Sequence, residues 1–193
     1  FKPIRYNSQT RSGKKVVVVL WATVDYMAVG NDQDFVRVPM NPLTAQEIAD
    51  RYRLKLPTVK IVDMIYKSAA IKLAPQPFKP GRDMVTVRQF VRHNQEIQKS
   101  LAVKIPTQLI AGHKKDIVIS NRLVNKPRKV AIYGWHRKNA VAIQPLSTVH
   151  GQWYADYSHG LRLVSDVMLI GKQIYSLSKG YSIAHGKPSI SMN

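Results

Sequence analysis

The longest apolar run near the start of the chain, residues 16–22 (VVVVLWA), constrains the fold more than any other segment. It is too short to cross a bilayer, and its β-branched side chains favour a pleated, buried strand over a helix. A signal-peptide core would also follow basic residues such as Lys14 and Lys15, but Asp25 comes next without a small-residue cleavage pattern. The run therefore predicts a central strand, which needs neighbours on both edges and a layer over its face.

The rest of the chain supplies both kinds of neighbour. Residues 26–29, 35–40, 107–111, 116–120, 129–133 and 161–164 read as strands, with a polar turn at 31–34. Thr44 and Glu47 have the spacing of a capping box for one helix, and Pro57 opens a second through about residue 72. A third helix is predicted over 86–101 and a last one over 165–177, with the proline-rich stretch 74–83 as a surface loop. Strands and helices mix without a βαβ rhythm. The expectation is an α+β fold: a single domain over 16–193 with a mixed or antiparallel sheet and three to four helices. Residues 1–15 are a basic segment, either mobile or an edge.

Thirty Lys and Arg against eleven Asp and Glu leave a net charge of +19, a field that attracts polyanions. With no cysteine in the chain, a disulfide scaffold, a zinc ribbon and a thiolate nucleophile are excluded. An anionic polymer or cell-envelope polysaccharide is the expected partner, with nucleic acid as the alternative and no membrane span. A secreted or periplasmic location is the matching expectation.

Two segments resemble known motifs. Residues 43–65 resemble a helix-turn-helix, with Leu43, Ile48, Ala49, Leu54, Val59 and Val62 at its packing positions. That resemblance implies a DNA-binding protein in which Thr58 and Lys60 face the duplex. Ser158-His159-Gly160-Leu161-Arg162 resembles the Ser-His-Gly-Cys-Ile-Arg segment of L,D-transpeptidases, and Tyr133, Gly134 and His136 resemble its upstream Tyr-Gly-x-His context. The nucleophilic cysteine of that family has no counterpart here, so transpeptidation is not implied.

Candidate chemistry concentrates between residues 111 and 162. Imidazole exchanges protons near neutral pH, and His136, His150 and His159 lie here among Trp135, Trp153, Tyr154 and Tyr157. The expected roles are His159 as acid or base, His150 as its partner, Tyr157 as proton donor and Asp156 as orienter. Arg162 is expected to stabilise an anion, with Trp135, Trp153, Tyr154, His136 and His113 contacting substrate. If Asp156–Gly160 is extended, Tyr157 and His159 share one face. No cofactor is expected; a zinc ion on His113, Asp116, His136, His150 and His159 is the minority alternative. The favoured function is an exported bacterial enzyme, a hydrolase or lyase, that cleaves a cell-envelope or other polysaccharide through a His/Tyr site. A helix-turn-helix DNA binder and a non-catalytic carbohydrate- or envelope-binding module are the alternatives.

Overall fold

The protein is seen in a computed structural model that describes residues 1–10, 12–101 and 107–179; the last residues of the expected domain, 180–193, lie outside these. The fold is α+β. The basic amino-terminal segment is a strand, β1 (Lys2–Gln9), paired antiparallel along its whole length with β2 (Lys15–Ala22). Strand β2 is the valine run, and its Val18, Val19, Leu20 and Ala22 are buried. A short hairpin follows, β3 (Ala28–Gly30) with β4 (Phe35–Arg37).

Helix α1 (Pro42–Arg51) starts two residues before the expected cap: Asn41 accepts from the Thr44 amide, and Pro42 needs no such partner. Strand β5 (Leu54–Lys55) separates it from α2 (Val59–Ser68), whose cap is Thr58. This strand corrects the helix-turn-helix expectation. Residues 54–55 pair with the main sheet instead of turning, Thr58 bridges to Ile119, and α2 buries Ile61, Val62, Met64, Ile65 and Tyr66. The two helices also serve different cores. Ala45 and Ala49 of α1 pack with Ile117, Val130 and Leu161, whereas Ile61 and Ile65 of α2 pack with Ile4, Val18 and Leu20.

After β6 (Ile71–Lys72), α3 (Val87–Lys99) begins at Thr86, which accepts from the Gln89 amide. Strand β7 (Ile110–Ala111) pairs parallel with β6. Then β8 (Lys115–Ile117), β9 (Ile132–His136) and β10 (Ala142–Ser147) form an antiparallel run, and β11 (His159–Gly160) joins β8 in parallel.

The helix expected at 165–177 is instead β12 (Val164–Ser165), β13 (Val167–Ile170) and β14 (Gln173–Ser176). Gly171 takes the positive φ of a tight turn, so β13 and β14 form a hairpin. Leu169 and Ile170 pair with Val19 and Val18, and Val164 pairs with Ala22. Tertiary demand for a partner on the second edge of β2 overrides the local helical reading.

Candidate functional site

The turn that enters β11 builds the first cluster. Asp156 Oδ1 accepts from the Ser158 amide at 2.8 Å and from its hydroxyl at 2.5 Å, while the His159 amide donates to the Asp156 carbonyl. This folds residues 156–159 into a turn, so the extended geometry expected for them is corrected. His159 and Tyr157 consequently part. The His159 ring meets Tyr154 at 5.7 Å and His150 at 6.4 Å between centroids, and His150 stacks on Tyr154 at 4.1 Å. Tyr157 instead packs against Phe78, His93 and Trp135, with its hydroxyl accepting from the Phe78 amide.

Asp156 Oδ2 accepts from the Tyr154 hydroxyl at 3.0 Å and lies 3.8 Å from His159 Nε2. Burial drives the His159 pKa down to about 4 against the pull of Asp156, which leaves a neutral imidazole at neutral pH. Burial opposes the charge on Asp156, but His159, Ser158 and Lys115 outweigh it and keep the carboxylate ionised. Burial and the Asp156 charge raise Tyr154 to about 12, so its phenol stays protonated. His159 is fully buried, and neither ring nitrogen has a hydrogen-bond partner among the described residues. His150, Tyr154 and Lys115 are half-buried and connect it to the surface.

Lys115 completes this cluster. It pairs with His159 across β8 and β11, and its ammonium sits 5.1 Å from the Trp135 ring centroid. Trp135 has a φ of 57°, a left-handed conformation that costs a non-glycine residue energy and turns its ring toward Lys115 and Tyr157. Nothing in the local sequence announces that conformation.

A second polar cluster is built around Asp25. Arg37 donates to Asp25, Asn94 and Gln98, and His113 Nε2 is 3.0 Å from Asp25 Oδ1. Arg162 donates to the carbonyls of Thr23 and Ile110 and lies over the Tyr26 ring, whose hydroxyl donates to Asp116. Gly160 is required there, because a Cβ would fall 2.5 Å from that ring. Lys114 is fully buried and donates to the Tyr157 carbonyl; burial, and then the Arg37 charge, lower its pKa to about 7.

The expected site residues therefore do not all converge. His150, Tyr154, Asp156 and His159 are together. His113 belongs to the Asp25 cluster and Arg162 is tied to backbone carbonyls. His136 sits apart, 3.0 Å from Asp63 and stacked on Tyr66. Trp153 is 73% exposed on the loop before Tyr154. The residues singled out in the sequence do not include Asp25, Arg37 or His93, which lie outside 111–162.

Among the described residues no three His, Asp or Glu side chains gather around a point where a metal ion would sit, and no helix is long and apolar enough to cross a membrane. An open depression of about 760 Å³ lies on the β1–β2 hairpin, lined by Tyr6, Asn7, Lys15 and Val17 among others, and contains no histidine or carboxylate. Proton-transfer chemistry is better supported at His159 than there. No family model, curated protein or solved structure matches the chain.

Proposed function

We propose that the protein cleaves a cell-envelope or other polysaccharide by general acid–base catalysis at the His150–Tyr154–Asp156–His159 cluster. The observation that carries this reading is the His159 imidazole, buried, neutral and without a hydrogen bond among the described residues, behind two half-exposed proton-carrying side chains. His150 and Tyr154 meet the substrate. Asp156 orients the Tyr154 phenol, and His159 supports Asp156 from behind. Tyr154 thus takes the donor role first expected of Tyr157. Support for a sugar polymer comes from Trp153, whose exposed ring suits the face of a pyranose. Its loop is tied to a basic strip: the Gln152 amide donates to the Arg128 carbonyl, and Lys129 donates to the Val149 carbonyl.

The test is release of reducing ends from peptidoglycan sacculi and from a panel of neutral and acidic polysaccharides. His150→Ala and Tyr154→Phe are expected to lower turnover on the cleaved polymer by about 10²–10⁴-fold. Melting temperature should be nearly unchanged in His150→Ala and lowered in Tyr154→Phe, which takes one hydrogen bond from the buried Asp156. Tyr157→Phe is expected to keep most of it. Full activity in His150→Ala, or no cleavage of any polymer by the wild type, rejects the reading.

A further inference from the structure

We infer that the cluster acts on uronic-acid residues and breaks the chain by β-elimination, with Lys115 holding the substrate carboxylate; this rests on the reading above. The basis is which groups of the cluster reach the surface and what each has left to give. A hydrolase of the usual kind needs two carboxyl groups flanking the bond, one as acid and one as base or nucleophile. Here Asp156 is the cluster's one carboxylate, and both its oxygens are held by Ser158 and Tyr154. The reachable groups are an imidazole, a phenol and an ammonium. Those are a base, an acid and an anion binder.

Lys115 is the cation suited to the carboxylate. It is half-buried beside His150, His159 and Asp156, and among the described residues it makes no salt bridge within 4.0 Å. Arg162, by contrast, is fully buried with its guanidinium on the Thr23 and Ile110 carbonyls. A carboxylate beside C5 of a uronate resists removal of the C5 proton, because charge builds on the group as the proton leaves. A cation placed against it relieves that build-up.

The step balances without a co-reactant. His150 takes the C5 proton, the C5–H electron pair becomes the C4=C5 double bond, and the C4–O bond breaks. The Tyr154 hydroxyl, which donates to Asp156 Oδ2, turns to the departing oxygen and gives it that proton. Proton exchange with solvent, or from His150 to the phenol stacked 4.1 Å away, restores both groups. No water enters the product.

The experiment uses the intact protein with polygalacturonate, alginate and hyaluronan, and with dextran and dextran sulfate as controls. Two signals are followed together: reducing ends, and the ultraviolet absorbance of the C4=C5 bond. Elimination predicts that both rise in step on at least one uronate and on neither dextran. Lys115→Met is expected to cut kcat on the uronate by about a hundredfold. On the methyl-esterified polymer, which has no charge to neutralise, the same substitution is expected to change little. Reducing ends without the absorbance overturn the elimination while leaving polysaccharide cleavage standing. Cleavage of dextran or dextran sulfate does the same, and an equal Lys115→Met loss on ester and acid removes Lys115 from the role. No cleavage of any polymer, including sacculi, defeats both readings.

Discussion

The Asp25 cluster and the Asp156 cluster are both buried, both contain a histidine and a carboxylate, and differ in how their groups are matched. Asp25 is held by Arg37 and His113, and Arg37 in turn by Asn94 and Gln98. Burial would raise the Asp25 pKa, yet the bonds to His113 and Arg37 hold it far below the usual carboxylate range. Around Asp156 the carboxylate is satisfied, but the imidazole beside it is not. A buried ion pair with converging hydrogen bonds fixes strands in place; a buried imidazole without a partner is a group whose use lies elsewhere. One neighbour blurs the contrast: His93 is also buried, walled by Phe78, Trp135 and Tyr157, and among the described residues no half-exposed proton carrier is in contact with its ring.

The contrast is broken most directly at Arg37. Arg37→Met leaves Asp25 buried beside a single histidine and should destabilise the fold by about 3–5 kcal/mol in chemical denaturation. His159→Gln should cost far less, since no hydrogen bond is lost. Equal losses for the two would mean that both clusters are structural.

A smaller effect follows from pH. Burial lowers the pKa of His159 to about 4 and of His93 to about 2, both below the imidazole value of an unfolded chain. The unfolded state then binds more protons as pH falls, so their stabilising contribution is complete above about pH 6.5 and is lost progressively toward pH 4. Asp116 acts in the opposite sense, because burial raises its pKa to about 6 and the folded state takes up that proton first. The two histidines outweigh it. Melting temperature should fall between pH 6.5 and 4, and His159→Gln should flatten that fall by ~1–3 kcal/mol. An unchanged slope in the variant would show that His159 does not stay neutral.

How far these clusters were legible in the sequence depended on whether the signal was local. Thr86 announces α3, and the valine run announces β2, because cap chemistry and β-branching act within a few residues. The hairpin β13–β14 was misread as helix, because its apolar residues fit either period and only the open edge of β2 decides between them. At the site, Tyr154, Asp156 and His159 are neighbours in the chain and were visible as such. Asp25, Arg37 and Asn94 come from three separate stretches of the chain, and polar residues read as surface until their partners are known. The Asx turn at Asp156 reversed the facing of Tyr157, a consequence of two hydrogen bonds that strand alternation does not contain.

The smallest expected effect concerns the third histidine–carboxylate pair, which sharpens the comparison from outside. Asp63 accepts from the Tyr133 hydroxyl at 2.8 Å and lies 3.0 Å from His136 Nε2, with about a third of its side chain exposed. Burial raises the pKa of Asp63, and the bonds to His136 and Tyr133 more than reverse that, so the carboxylate keeps its charge. Solvent at Asp63 makes each contact worth less than its counterpart at Asp25. Removing the Tyr133 hydroxyl leaves Asp63 with His136 and water, so no charge is stranded. Tyr133→Phe is expected to cost about 0.5–1.5 kcal/mol in denaturant titration and to leave turnover at the His150–Tyr154 cluster unchanged. A loss of turnover larger than the loss of stability would bring His136 back into the site, and the division of labour between the clusters would then have to be redrawn.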